Sequence, residues 1–133
     1  MAVDMIEKGR AAYAFETVYR YMIRADLERR KEYSSHVKKV PSMIKVNGLG
    51  QTLAFLYSKE GTDRQIYEHI DGWLQQRYGE ILQAARQQQQ GQHTLVEAVV
   101  RMNSDDYRII TKEVLALLEW MRRFADGLKT DLA

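Results

Sequence analysis

Residues 38–59, KKVPSMIKVNGLGQTLAFLYSK, combine features that an ordinary amphipathic helix does not. They contain the only proline of the chain and two of its eight glycines, within the longest interval that lacks an acidic residue, between Glu32 and Glu60. Proline is tolerated best in the first turn of a helix, because its missing N–H group has no partner to lose there. We therefore expect a helix to begin near Pro41.

Three small or polar residues, Asn47, Gly48 and Gly50, follow this proline. Asparagine and glycine tolerate left-handed or otherwise unusual backbone. A helical apolar spacing then resumes at Leu49, Leu53, Phe55 and Leu56. The pattern predicts a short helix, a structural hinge and a second helix, with the hinge formed by Pro41, Asn47, Gly48 and Gly50. An ordinary joint between two helices, without any function, explains the same pattern.

The chain before this stretch has the three- and four-residue apolar spacing of a helix. We expect that helix to begin at about residue 4, with Asp4 as its cap, and to continue as far as residue 39 unless the charged run 25–32 breaks it. The apolar residues that set the spacing are Ala11, Ala14, Phe15, Val18, Met22 and Ala25.

Three further helices are predicted after the central stretch. Turn residues at 61–63 introduce a helix at about 64–78, which buries Ile66, Ile70, Trp73 and Leu74. The run 95–102, LVEAVVRM, is also interpreted as a helix. Ser104 is predicted to cap the last helix, because Asp105 and Asp106 follow it at the positive end of the helix dipole. The apolar stripe of that helix comprises Tyr107, Ile110, Val114, Leu117, Met121, Phe124 and Leu128.

No segment shows the sustained two-residue alternation of a strand. The fold class is therefore predicted to be all-α: a compact single-domain bundle of about five or six helices over residues 1–133, with a polar glutamine-rich loop near 83–93. The chain has no cysteine, which excludes disulfides and thiolate zinc sites. No apolar run approaches the roughly 18 residues of a membrane span, so we expect a cytoplasmic protein with no membrane partner.

The distribution of charge is uneven. Residues 20–45 contain eight basic and three acidic side chains, a net charge of +5, whereas the whole chain carries only +2. On a continuous helix Lys31 and Lys38, which are seven residues apart, would lie on one face and could form a basic stripe with Arg24. A basic segment on an otherwise slightly acidic body is typical of a phosphate-facing surface, although a solvated helix face gives the same pattern.

Residues capable of catalysis are sparse. The histidines His36, His69 and His93 are isolated in the sequence, without the spacing of a metal site. Ser34 and Ser35 precede His36 but lack a nucleophile motif. We therefore expect no enzyme activity, no metal, no cofactor and no small-molecule substrate.

Aromatic residues next to the basic segment could stack on bases. Among the eight tyrosines, Tyr33 and Tyr57 are the candidates to face nucleic acid. Packing in the core is the interpretation for the other tyrosines considered, which are Tyr13, Tyr19, Tyr67 and Tyr107. The pair Arg122 and Arg123 would extend a basic surface if the last helix packs near the central stretch.

Three segments of the chain resemble one known family. The run YSSHVKKVPSMIKVNGLGQTLAFL, residues 33–56, resembles the most characteristic segment of the small subunit of the type III-B CRISPR RNA-guided effector, the Cmr complex. The segment AAYAFETVY near the start is similar to the first helix of that family, and DYRIITKEVLALLEWMRRFADG is similar to its last helix.

The resemblance implies a non-catalytic antiviral subunit. Several copies would stack along the filament of backbone subunits, with guide RNA and target RNA held beside them. Charge clustering near the resembling segment selects the candidate RNA contacts Arg29, Arg30, Lys31, Lys38, Lys39 and Lys45. Without the resemblance, a helical protein-interaction adaptor and a small nucleic-acid-binding regulator remain alternatives.

Overall fold

The computed structural model describes residues 9–86 and 94–132 of the chain. These residues form six helices and no strand, which confirms the predicted all-α class. The predicted cap Asp4 and His93 lie outside the described residues. None of the helices in the described ranges is long and apolar enough to cross a membrane. The helices are α1 (Arg10–Arg24), α2 (Leu27–Asn47), α3 (Leu49–Ser58), α4 (Thr62–Ala85), α5 (Thr94–Arg101) and α6 (Ser104–Asp131).

The charged run 25–32 does break the helical path. Ala25 has extended backbone, and Asp26 caps α2 by accepting a hydrogen bond of 2.9 Å from the Arg29 N–H group. The Arg30 guanidinium then donates to the carbonyl oxygen of Met22, one of the last carbonyls of α1, over 2.8 Å. Backbone groups at the end of α1 and at the start of α2 therefore have hydrogen-bond partners at the break.

The prediction that a helix begins near Pro41 is wrong. Pro41 lies inside α2, which runs without interruption from Leu27 to Asn47. Proline cannot donate to the carbonyl four residues earlier, so the helix forgoes one hydrogen bond there. The buried side chains Val37, Val40 and Ile44 form one apolar face across the proline. Their burial explains why the helix continues, since each contributes about 1.5–3 kcal/mol relative to exposure.

The joint between α2 and α3 is a single residue, Gly48. Its φ of 88° and ψ of 160° belong to a region that is essentially restricted to glycine. A Cβ atom at this position would lie 3.2 Å from the hydroxyl oxygen of Tyr107. The Gly48 N–H group donates to the carbonyl of Ile44 over 2.8 Å, which closes the last turn of α2. Both the backbone conformation and the close approach of Tyr107 therefore favour glycine.

The other predicted helices are present, with different ends. Helix α4 extends to Ala85 and so includes residues 83–85 of the predicted loop, while residues 87–93 lie outside the described ranges. The run 95–102 is helical in α5, except for its last residue. The cap of α6 is Asn103 rather than Ser104, because the Asn103 side chain accepts a 2.8 Å hydrogen bond from the Asp106 N–H group.

The longest helix, α6, packs between α1 and α2 and makes the most extensive contacts in the described part of the chain. Helix α4 packs against α2, α3 and α5, so α2 joins the two halves of the bundle. The predicted inward residues of α4 are buried, as are most of the apolar stripe of α6. The buried core residues of α6 are Ile110, Val114, Leu117, Leu118, Met121 and Ala125.

One buried carboxylate links three helices. Glu113 of α6 is only 5% exposed and accepts hydrogen bonds from Arg10 (2.7 and 2.8 Å), Trp73 (2.6 Å) and Tyr78 (2.8 Å). Burial alone would raise the pKa of this carboxyl, but the four hydrogen bonds and the charge of Arg10 lower it to about 2. The donors belong to α1 and α4, so this carboxylate holds both helices to α6.

Replacement of this carboxylate should destabilise the fold. We expect Glu113→Gln to lower the free energy of unfolding by about 3 kcal/mol at pH 7, since it leaves the largely buried Arg10 cation without its anion. The matched control is Glu119→Gln, an exposed carboxylate on the same helix, for which the change should stay within about 0.5 kcal/mol. Urea denaturation of both variants measures the difference.

The stabilisation that Glu113 provides should depend on pH. The pKa of Glu113 is about 2 in the fold and 4.5 ordinarily, so its contribution is complete above pH 4.5 and is lost as pH falls towards 2. The Glu113→Gln variant should therefore lose less stability than the parent over that interval. Equal losses in both proteins would contradict the assigned role of Glu113.

Replacement of the joint glycine provides a second test of the fold. We expect Gly48→Ala to lower the free energy of unfolding by about 1–3 kcal/mol, because the required backbone conformation is strained for any residue with a Cβ atom. Gly127→Ala is the matched control, since Gly127 lies inside α6 with open space around its Cα atom. That control should stabilise the protein by about 0.5–1 kcal/mol. Thermal or urea unfolding compares the two, and equal effects would refute the strained joint.

Candidate nucleic-acid interface

Three of the six predicted RNA contacts form one row along α2. Lys31, Lys38 and Lys45 are spaced seven residues apart, and each step of seven shifts direction by only about 20° around a helix. All three side chains are exposed. With a rise of about 1.5 Å per residue, the row is about 21 Å long.

This row lies beside α6, which runs in the opposite direction. The Lys38 ammonium nitrogen is 3.8 Å from a carboxylate oxygen of Asp126. At one end of the row, the Arg30 guanidinium donates to the carbonyl oxygen of Leu132 over 3.0 Å. At the other end, the positive charge of Lys45 acts on the carboxyl of Glu119. As the α2 residue number rises, the number of its α6 partner falls, so the two helices are antiparallel.

Helix α6 adds further cations to the row. The pKa of Glu119 is lowered first by a hydrogen bond from Arg122, and then by the charges of Arg122, Arg123 and Lys45. The pKa of Asp126 is lowered first by a hydrogen bond from Lys129. We use the term basic seam for the following residues: Lys31, Lys38, Lys45, Arg122, Arg123 and Lys129.

The basic seam has an excess of positive charge. Its six cations are accompanied by two acidic side chains that the contacts place among them, Glu119 and Asp126. These ion pairs are on the surface, where solvent and salt screen them, so they contribute little to stability.

The other three predicted contacts lie elsewhere. Arg30 is half-buried and its guanidinium binds the carbonyl oxygens of Met22 and Leu132, so it holds the ends of α1 and α6. Lys39 is exposed but points about 100° away from Lys38 around the helix. Arg29 borders a groove on the side of α2 that faces α4. The six residues therefore do not form a single surface.

The predicted stripe that includes Arg24 is also wrong. The break after α1 places Arg24 on a different helix from Lys31, so the seven-residue rule does not apply to that pair. Arg24 instead borders the same groove as Arg29, a space of about 690 Å³ between α1, α2 and the start of α4. The charged residues that line this groove are Arg20, Arg24, Arg29, Glu32, Glu60 and Asp63.

This groove is less suited to phosphate than the basic seam. Its three arginines are balanced by three carboxylates, two of which already have partners. Glu32 accepts a hydrogen bond of 2.8 Å from the Thr62 hydroxyl. Asp63 lies 2.8 Å from the His36 ring nitrogen Nδ1. A surface with no net charge gives phosphate little electrostatic attraction.

The glycine joint lies at one end of α2 and faces a second, smaller groove. The Gly50 N–H group donates to the Tyr107 hydroxyl over 2.9 Å, which ties the start of α3 to α6. The groove, about 420 Å³, is lined by Asn47, Gly50 and Tyr107 together with residues of α5. Val100 on this rim is 63% exposed, which is high for a valine side chain in a folded domain.

The predicted roles of the tyrosines require correction. Tyr33 is fully buried, and its hydroxyl lies 2.7 Å from the Nδ1 atom of His69, so it cannot face RNA. Burial lowers the pKa of His69 to about 4 and keeps the imidazole neutral at pH 7. Tyr57 is half-buried, with the Arg64 guanidinium 4.4 Å from its ring centre. Tyr19, predicted to pack in the core, is instead 38% exposed.

The candidate nucleophile and base at residues 34–36 do not pair with each other. Ser34 is buried and its hydroxyl has no hydrogen-bond partner in the described residues, whereas His36, two residues later, is directed towards Asp63. No three histidine, aspartate or glutamate side chains within residues 9–86 and 94–132 are placed to hold a metal ion. Charge clustering did not select Lys129. This residue belongs to the basic seam because it follows Asp126 by three residues on α6 and its ammonium group donates to the Asp126 carboxylate.

Comparison with known proteins shows the family of the chain. The family model described as CRISPR-associated protein (Cas_Cmr5) matches residues 6–128. The CRISPR system Cmr subunit Cmr5 of Thermus thermophilus is 31% identical over 106 residues, which cover 76% of this chain and 78% of that protein. Both matches confirm the family that the proline–glycine stretch and the two terminal helices resemble. The chain belongs to the Cmr5 family, the small subunits of the type III-B CRISPR Cmr complex.

Proposed function

We propose that this protein is a non-catalytic small subunit that holds guide and target RNA inside the Cmr complex through its basic seam. The observation that carries the proposal is the antiparallel alignment of Lys38 and Lys45 with the charged residues of α6, with Lys31 on the same face of α2. Six positive charges against two negative ones give this surface a local charge of +4, twice that of the whole chain. Phosphate is the natural counter-charge of such a surface.

The mechanism is electrostatic and does not require the protein to read bases. Contacts to phosphate groups fix the position of a nucleic acid but carry no sequence information. In RNA-guided complexes the sequence is read by pairing between guide and target, so a subunit that recognises backbone and shape is sufficient. Cleavage then belongs to other subunits of the complex.

Assembly also requires contacts between proteins. In this proposal neighbouring copies and the backbone subunit of the filament cover surfaces outside the basic seam. The best candidate is the smaller groove beside Gly48, where Val100 lines the groove and is 63% exposed. Val46, next in sequence to the groove residue Asn47, is 81% exposed. Exposed aliphatic side chains at the rim of a concave surface are typical of protein contacts. Their burial would stabilise the assembly without competing with RNA.

A salt series measures the phosphate contacts. Each phosphate bound by a single strand contributes about −0.7 to the slope of log affinity against log salt. If one copy makes four to six contacts, we expect it to contribute roughly −3 to −4 to the slope measured with RNA bound to the assembled complex. The double variant Lys38→Gln/Lys45→Gln should weaken binding and make the slope shallower by about 1.4 per copy engaged.

The matched control changes two cations outside the seam. Arg29→Gln/Lys39→Gln removes the same charge from the same helix, so a general effect of net charge would appear equally in both variants. We expect the control to retain most of the slope. A slope near zero in the parent complex, or equal losses in both variants, would refute the seam and favour a helical adaptor that binds only protein.

A further inference from the structure

Four aromatic side chains form a patch across the contact between α1 and α6. Phe15 and Tyr19 of α1 have ring centres 5.7 Å apart and an angle of 17° between their planes. Phe15 also contacts Phe124 of α6 edge-on, at 5.3 Å and 83°. Trp120 and Phe124 are 5.7 Å apart and nearly parallel, at 23°. We refer to these four residues as the aromatic patch.

The two α1 residues of the patch are open to solvent, whereas Trp120 and Phe124 are partly buried against the core. Phe15 is 42% exposed and Tyr19 is 38% exposed, and the next residue in the same row, Ile23, is 48% exposed. Large apolar side chains that line up on one surface, rather than being scattered, mark a binding site. Phe15 and Tyr19 stack on each other, and the exposed parts of their rings are available to another planar group.

The aromatic patch and the basic seam flank the same helix. Trp120 and Phe124 lie on the side of α6 that faces α1, whereas Arg122 and Lys129 lie on the side that faces α2. A helix with its side chains is about 10–12 Å across, so only the outward face of α6 separates the two surfaces. Arg123, next in sequence to Phe124, is exposed on that outward face.

We infer that the aromatic patch stacks unpaired RNA bases while the basic seam holds the phosphates of the same strand. A cationic track beside exposed aromatic rings is the combination that binds single-stranded nucleic acid, because every base presents a flat face to stack. The inference rests on the proposed function, since the seam supplies the charge that selects RNA over an apolar protein helix. The inference adds that this surface prefers single-stranded RNA, such as the unpaired or displaced end of a strand.

The test compares single-stranded and duplex RNA. The variants are Phe15→Leu and Tyr19→Leu, which keep an apolar side chain and remove the flat ring. With a single-stranded oligoadenylate probe, we expect each variant to bind about fivefold more weakly, or worse. With a blunt RNA duplex, whose bases are not free to stack, the affinity should not change. Filter binding or fluorescence anisotropy of the full chain measures both.

A matched control and a second readout separate stacking from damage to the fold. Phe55→Leu changes a similarly exposed aromatic residue, 41% exposed on α3, away from the patch, and should leave both affinities unchanged. Intrinsic fluorescence gives a direct signal, because Trp73 is buried and Trp120 belongs to the patch. Oligoadenylate should quench the tryptophan emission of the parent protein and of the Phe55→Leu variant.

The possible outcomes are distinct. Unchanged affinity of the patch variants for single-stranded RNA, with the salt dependence retained, would refute stacking and leave the phosphate role intact. Loss of self-association or of complex assembly with unchanged RNA affinity would assign the patch to a protein contact and overturn the inference. Absence of any RNA binding by the parent chain and the assembled complex would overturn the proposed function together with it.

Discussion

The carboxylate of Glu113 is the constraint on which the arrangement of helices depends. It is buried on the core face of α6, where an unpaired charge would cost several kcal/mol. It is satisfied only while Arg10 of α1 and Trp73 and Tyr78 of α4 keep their positions. The network therefore fixes how α6 is rotated about its own axis. Rotation of α6 by one residue would move Arg122 and Lys129 out of the basic seam and turn Phe124 away from Phe15.

The glycine joint has a comparable effect on the other side of the bundle. Gly48 permits α3 to follow α2 after a single residue, and the Tyr107 hydroxyl on α6 lies 3.2 Å from the position of a Cβ atom. The same hydroxyl accepts the Gly50 N–H bond. The first turn of α6 contacts the joint through Tyr107, and the last turns of α6 contact Lys38 through Asp126. Helix α6 therefore supports α2 along most of the length of α2. A straight row of lysines depends on that support.

The sequence predicted the helical class and most of the core, because apolar spacing depends on local geometry alone. Ile66, Ile70 and Leu74 followed the helical rhythm and are buried. Local rules failed where a distant contact decided the outcome. Pro41 looked like a helix start, yet burial of neighbouring residues carries the helix across it. Gly72 of α4 likewise depends on a distant contact, because a Cβ atom there would lie 2.5 Å from the Tyr13 hydroxyl, which donates to the His69 carbonyl.

The candidate interface was predictable only in part, for the same reason. Charge clustering selected residues of α2, but charge has no periodicity of its own, so it did not separate Lys38 from Lys39 on neighbouring faces. Nor did it show that Arg30 binds backbone carbonyls. Glu113 was overlooked, although an acid between Ile110 and Val114 on an apolar face is itself a signal of a buried partner.

The pairing within the basic seam explains how a strongly cationic surface is kept stable without RNA. Six neighbouring cations would repel one another, and Asp126 relieves this by approaching both Lys129, at 2.9 Å, and Lys38, at 3.8 Å. These side chains are exposed, so the pairs are weak and exchange readily with solvent ions. A phosphate chain offers a continuous series of negative charges in place of two isolated ones, and it releases its own counterions on binding. In the proposed function, such weak pairs leave the cations of the seam available to phosphate.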